Sequence, residues 1–197
     1  MVVKGIAFDF GDVLGKVDYK FIGQRYNELF GVDSNQVLLS LRKHGIPYAD
    51  AQITEDKFWS NVAQDLGLSD IEQMKSVMTE SFRPYQGTLN LARRLKPNYK
   101  LAILSNVPKR MLTYWEGKYF PDIFSCIVSS QEFGLSKRER KVYEELLSIM
   151  NLTAEETAYV DDTAEYVKVF RSLGGTGFVF KSAELLEQDF VKIGLKF

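Results

Sequence analysis

The chain has 197 residues, 45% of them hydrophobic, 26% charged and 13% aromatic, a composition far from the disordered and fibrous extremes and long enough to bury a real core. With 25 basic and 26 acidic residues, a formal net charge of -1, it lacks the one-sided basic surface that nucleic-acid binding needs. One cysteine, Cys126, and one histidine, His44, exclude an internal disulfide and nearly exclude a zinc site built on those residues, so carboxylates and lysine are left to carry any enzymatic chemistry.

The first segment, MVVKGIAFDFGDVL, is apolar for only a few residues before Asp9 interrupts it. It is too short and too acidic for a signal peptide, and no apolar run approaches membrane-spanning length. A reducing cytoplasmic setting is therefore expected. Residues 2–10 read as a buried strand. From about Gly15 to Pro84 no strand is evident, and four helical pieces follow instead. Tyr19, Ile22, Tyr26 and Leu29 mark the first, Val37, Leu38 and Leu41 after Ser34 the second. Thr54 caps a third holding Phe58, Trp59, Val62 and Leu66. Ser69 with Glu72 makes a capping box for the fourth, with Ile71, Met74, Val77 and Met78 inside.

Beyond Pro84 strands and helices alternate. A helix over 88–95 leads into a strand at 99–105, and a helix over 108–117 precedes a strand at 123–129. A helix over 141–150 places Val142, Leu146, Ile149 and Met150 on one face. Thr153 and Glu156 form a further capping-box pattern just before a strand at 157–162. A helix over 164–174 ending at glycines and a strand at 176–180 follow. Such alternation predicts an α/β fold, a Rossmann-like parallel-sheet core formed by residues 1–15 and 85–197, with an all-helical insertion at 16–84.

Open parallel sheets bind ligands at the carboxyl ends of their strands, and three strand ends here carry polar groups. The first runs into Asp9, Gly11 and Asp12, the second into Ser105-Asn106, and the fourth into Asp161-Asp162. Lys137 stands in a polar stretch after the third. Taken singly, each has an ordinary explanation as a turn former, a helix cap or solvated surface. Their order and shared rim favour a site, and clustered carboxylates call for a hard cation such as magnesium. A Ser-His-Asp triad could recruit only His44, which lies in a helical stretch with no elbow serine nearby.

The succession of the Asp9 motif, Ser105-Asn106, Lys137 and Asp161-Asp162 resembles the four motifs of the haloacid dehalogenase-like hydrolase superfamily. The likeness extends to the helical insertion, where that family places a small cap, and to the tyrosine-bearing helix after Lys137. It implies a magnesium-dependent phosphatase with Asp9 as nucleophile and a central first strand flanked by the second and fourth. It further implies Mg2+ held by Asp9, the Gly11 carbonyl and Asp162 with Asp161 beside it, and phosphoryl oxygens held by Ser105, Asn106 and Lys137. A small phosphorylated metabolite, a sugar phosphate among the candidates, is the implied partner, with a monomer or homodimer, no nucleic acid and no membrane.

The sequence departs from the family at three places. Phosphatases of the family usually carry a second aspartate two residues after the nucleophile, to protonate the leaving oxygen; here that residue is Gly11. Asp12 is displaced by one position, and on a tight turn such a shift re-aims the side chain, so a structural or electrostatic role is expected for it. Arg138 replaces a common proline, and Tyr166 stands where aspartate or asparagine is frequent, which puts the support of the metal or lysine in question. Two other functions stay open: a phosphate-binding or regulatory module with weakened turnover, and a 2-haloacid dehalogenase, against which the Asp161-Asp162 pair argues. In the insertion, Arg25, Arg42, His44, Tyr48, Trp59 and Arg83 are candidates to face substrate, with the aromatic ones expected in its core.

Overall fold

The computed structural model describes residues 2–197. After β1 (Gly5–Phe8) and a tight turn comes β2 (Gly15–Val17), followed by α1 (Tyr19–Phe30), α2 (Ser34–Ala49), α3 (Glu55–Leu66), α4 (Ile71–Glu80) and β3 (Phe82–Pro84). Helices and strands then alternate through α5 (Gln86–Leu95), β4 (Lys100–Ser105), α6 (Lys109–Tyr119) and β5 (Cys126–Ser129). A 3-10 turn (Ser130–Phe133) leads to α7 (Arg140–Met150), β6 (Thr157–Asp161), α8 (Ala164–Arg171), β7 (Thr176–Val179) and α9 (Ala183–Lys192). Contacts divide the chain into two compact units, one of Val17–Arg83, the other of the chain up to Lys16 together with Pro84–Phe197. Among the described residues no helix is long and apolar enough to cross a membrane.

The second of these units is built on a five-stranded sheet in the order β5-β4-β1-β6-β7, with parallel pairing throughout. β1 is buried along its whole length because β4 and β6 cover both its edges, and helices cover the faces. That double coverage explains an unbroken apolar run where a one-sided strand would alternate. On one face Ala7, Ala102 and Tyr159 pack against Val142, Tyr143 and Leu146 of α7 and Phe170 of α8. The rings of Tyr143 and Phe170 each lie 5.3 Å from that of Tyr159.

The helical unit has its own core, with Ile22 and Tyr26 of α1, Val37 and Leu41 of α2, Phe58, Trp59 and Val62 of α3, and Met74 and Val77 of α4. Its helices start on side-chain caps that satisfy backbone donors: Asp18 accepts from Phe21, Asp33 from Asn35 and Gln36, and Thr54 from Lys57. α1 and α3 end on Gly31 and Gly67, both with positive φ, the left-handed closure that glycine adopts without strain. Trp59 lies in this core and Tyr48 packs partly buried against it.

Several local expectations are corrected. Residues 15–84 do contain strands, since β2 and β3 pair with each other in a small sheet; three-residue strands carrying Gly and Pro are too short to show alternation. The cap of α4 is Asp70, which accepts from Gln73, rather than Ser69, a carboxylate being an equally good acceptor there. Glu156 does accept from the Thr153 amide at 3.1 Å, yet the pair closes a turn, because the chain enters β6 at Thr157. Ile149 is exposed, while Tyr143 and Leu147 join the buried face of α7. α8 stops at Arg171 with Ser172 as its cap residue, and the unanticipated α9 starts on the Ser182 side chain and buries Leu186 and Phe190.

Candidate active site

Parallel register gathers the candidate residues at one rim. Phe8 pairs with Ile103 on one side and with Val160 on the other, so Asp9 emerges level with the ends of β4 and β6. Its amide donates to the Val160 carbonyl at 2.7 Å, which extends the ladder one step and holds the Asp9 backbone in place. The Asp9 side chain is nearly enclosed, 9% exposed, and those of Lys137 and Asp161 are withdrawn further at 2% and 0%.

These three buried charges touch. The Lys137 ammonium donates to Asp9 Oδ1 at 2.6 Å and to Asp161 Oδ2 at 2.8 Å. Asp161 also accepts from the Thr163 amide through Oδ1 at 2.8 Å and from the Tyr159 hydroxyl through Oδ2. Both of its oxygens are thereby engaged. Asp162, next along, is exposed. One carboxylate oxygen from each of Asp9, Asp161 and Asp162 lies within 4.8 Å of the others.

Burial pushes the Asp9 carboxyl up to about 7, with Lys137 pulling it down and Asp161 pushing it further up. Burial alone would lower Lys137, but the charges of Asp9 and Asp161 outweigh it and hold the ammonium above its ordinary value. Partial desolvation raises Asp162, helped by the neighbouring charges of Asp161 and Asp12. The cluster therefore holds three acids against one buried base, an arrangement suited to a cation with oxygen ligands.

Ser105 and Asn106 reach the same rim by strand register, although among the described residues no hydrogen bond joins either to the carboxylates. Ser105 Oγ accepts from the Val107 amide at 3.2 Å, and Asn106 Oδ1 accepts from Ser130 Oγ at 2.9 Å. Both side chains are thus oriented by the turn after β4 and by the 3-10 segment after β5. Gly11 bridges to Gly15 in the turn after β1, and a Cβ added at Gly11 would meet nothing within 4 Å. Asp12 adopts a left-handed φ of 55, tolerated by aspartate in tight turns, and its amide donates to the Gly15 carbonyl at 2.7 Å. Its side chain is exposed.

Three tyrosines surround Lys137. The Tyr143 hydroxyl donates to the Lys137 carbonyl at 2.7 Å, fixing the backbone of the lysine. The Tyr159 hydroxyl lies 3.5 Å from Nζ, and the Tyr166 ring presents its face 5.0 Å from Nζ, a cation–π contact. Tyr166 thus serves the lysine with a ring where a carboxylate or amide was in question. Tyr159 escaped the sequence reading, although strand alternation sets it on the face of Asp161 two residues on. Of the insertion residues, Arg25 pairs with Glu28, His44 with Asp65 and Arg83 with Asp18. Arg42 lines a groove of about 560 Å³ with Tyr19, Leu38, Leu41, Gly45 and Ile46.

Comparison with known proteins places the chain and its fold. The chain is 22% identical over 184 residues, 88% of its own length and 89% of the relative's, to a D-ribitol-5-phosphate phosphatase of Bacteroides thetaiotaomicron. A crystal structure of a haloacid dehalogenase family enzyme from the same organism, in complex with magnesium and inorganic phosphate, superposes with a TM-score of 0.71 at 20% identity, covering 91% of this chain and 94% of that one. The L-2-haloacid dehalogenase of Xanthobacter autotrophicus, with chloropropionic acid covalently bound, superposes with a TM-score of 0.72 at 18% identity, covering 100% of this chain and 85% of that one. At such identities the likeness of the structures speaks for the fold alone. The family model for haloacid dehalogenase-like hydrolases matches residues 3–174, the stretch that runs from β1 past α8 and takes in every charged residue of the rim, and by that match the chain belongs to the haloacid dehalogenase-like hydrolases.

Proposed function

We propose that the protein is a magnesium-dependent phosphatase that hydrolyses a small phosphate monoester through an aspartyl-phosphate on Asp9. The observation that carries this reading is the buried Asp9–Lys137–Asp161 contact with Asp162 beside it. The donor set fits magnesium, because it consists of carboxylate oxygens with a surplus of negative charge and no soft ligand. Asp9 and Asp162 would hold the ion together with the Gly11 carbonyl. Asp161, with both oxygens already engaged, stands beside it and balances Lys137. When bound, the ion supplies positive charge against the phosphoryl oxygens.

An Asp9 oxygen attacks phosphorus in line, the P–O bond to the ester oxygen breaks, and the phosphoryl group is carried on Asp9. Lys137, with Ser105 and Asn106, holds the phosphoryl oxygens and offsets charge in the transition state. Water then attacks phosphorus and releases inorganic phosphate, regenerating the carboxylate. Gly11 offers no side chain to protonate the leaving oxygen, which favours esters whose alcohol departs readily, sugar 1-phosphates above alkyl phosphates. In this reading the helical unit takes the part of the family's substrate-selecting cap. The polyol phosphate named for the ribitol-phosphate phosphatase, an ester of a primary alcohol, supports a small polyhydroxy substrate but not an anomeric leaving group.

The test is a panel of hexose 1-phosphates, ribitol 5-phosphate and p-nitrophenyl phosphate, with and without magnesium, alongside Asp9→Asn. Magnesium-dependent phosphate release that disappears in the variant is the expected result. Metal-independent halide release from 2-haloacids would replace this reading with dehalogenation. No turnover of either class, with inorganic phosphate still raising the thermal midpoint, would leave a binding module.

A further inference from the structure

Tyr159 is a buried tyrosine that the reaction as derived above does not use. Its ring fills a space between Tyr143 and Phe170 that a phenylalanine ring would fill equally well. The hydroxyl is a separate feature, and its surroundings are the charged centre of the site. It donates to Asp161 Oδ2 and lies 3.5 Å from Lys137 Nζ. Tyr159, Asp161 and Lys137 therefore close a small ring of polar contacts behind Asp9.

The charge balance gives that ring a purpose. Within the buried set, Asp9 and Asp161 face the single ammonium of Lys137, which leaves one negative charge in surplus. Asp161 Oδ1 has the Thr163 amide at 2.8 Å, while Oδ2 shares Lys137 with Asp9 and needs a second donor of its own. Tyr159 provides that donor without adding charge. Deprived of it, Oδ2 depends on Lys137 alone and competes more strongly for the ammonium. Lys137 would then be drawn toward Asp161 and away from Asp9, where phosphoryl transfer takes place.

We propose that the Tyr159 hydroxyl is a positioning residue, which by saturating Asp161 Oδ2 keeps the Lys137 ammonium on Asp9 and on the phosphoryl group it receives. The proposal rests on the phosphatase reading. The hydroxyl reaches the reacting groups through Asp161 and Lys137, so its loss acts on turnover more than on ground-state binding. Partners that orient first-contact groups in such sites are worth about 10- to 100-fold in activity.

Wild type and Tyr159→Phe are compared with p-nitrophenyl phosphate at saturating magnesium, reading kcat, KM, the inhibition constant of orthovanadate and the thermal midpoint. The expected variant is folded, with kcat down about 10-fold or more, KM within about threefold of wild type and vanadate weakened by a factor close to that in kcat. Replacing Tyr159 with 4-aminophenylalanine, which restores a donor at the same place, should recover most of the lost kcat. If Tyr159→Phe is too unstable to assay, 4-fluorophenylalanine, which fills the volume without a donor, takes its place under the same expectation. A donor-less variant with wild-type kcat and vanadate affinity, or a loss confined to KM, overturns the proposal. Wild-type protein that releases no phosphate sinks the phosphatase reading and the proposal together, whereas equal activity of wild type and variant sinks the proposal alone.

Discussion

Replacing Lys137 by Met tests the electrostatics of the site without reference to turnover. The ammonium sits 2.6 Å from Asp9 and 2.8 Å from Asp161, and all three groups are buried. At an effective dielectric near 20, each such contact is worth roughly 6 kcal/mol of Coulomb attraction. Most of this is offset by the cost of burying the charges, and removing one partner of a buried ion pair destabilises by about 3–5 kcal/mol. For a chain of this size that is a fall of about 6–20 °C in thermal midpoint. Methionine keeps the length and apolar stem of lysine, so packing contributes little to the change.

The pH dependence of Lys137→Met has a definite sign. Without the ammonium, nothing offsets the burial of Asp9 or the charge of Asp161 beside it, so the native Asp9 carboxyl stands still further above its unfolded value of 3.8. The native state then holds more protons than the unfolded state between those values, so the variant loses stability as pH rises through that window. The deficit relative to wild type should be large near pH 8 and shrink as pH falls below the unfolded value of 3.8, where the Asp9 carboxyl becomes neutral in either state. Magnesium binds only the native cluster and should recover about 2.7 kcal/mol at a hundred times its dissociation constant. Differential scanning fluorimetry across that range, with magnesium or with chelator, measures all of this. A metal-free midpoint within about 2 °C of wild type near pH 8 would refute the reasoning.

Ser105→Ala should lower kcat/KM on a phosphate ester by about 10²-fold through loss of a phosphoryl-oxygen donor, with the thermal midpoint little changed; steady-state kinetics showing less than a few-fold loss would remove Ser105 from that role. A Cβ at Gly175 would lie 2.2 Å from Phe170 Cε1, inside the aromatic cluster behind Lys137. Gly175→Ala should therefore cost about 1–3 kcal/mol in urea denaturation, and an unchanged midpoint would contradict the packing described. In the helical unit, hydrogen bonds from Lys43, then His44, hold the Asp65 carboxyl down to about 2. A carboxyl lowered in the native state stabilises above its unfolded pKa, so Asp65→Asn should lower the midpoint near neutral pH, by an amount that fades as pH falls through the acid range. A deficit independent of pH would show that packing, not charge, is lost.

Chain-local signals accounted for the architecture. The unbroken apolar runs ending at Phe8 and Val160 required strands covered on both faces, and that requirement, with alternating helices, implies a parallel sheet whose carboxyl ends share one rim. The residues standing at those ends, Asp9, Ser105, Asp161 and Asp162, were legible for the same reason. Short strands such as β2 and β3 were not, because three residues carry no period. Nor was the choice of Asp70 over Ser69 as a cap, where adjacent residues offer equivalent acceptors.

Periodicity and residue type, both properties of neighbours along the chain, were enough to say which groups would come to the rim of the sheet. Which of them touch is a matter of groups far apart along the chain, and only the folded chain decides it. Lys137 lies 128 positions from Asp9 and 24 from Asp161, and nothing in its basic surroundings separates a buried ammonium from a solvated one. The ring of Tyr166 over the ammonium belongs to the same category. It comes from the packing of α8 on the sheet, because a buried charge must find its partners wherever tertiary structure brings them.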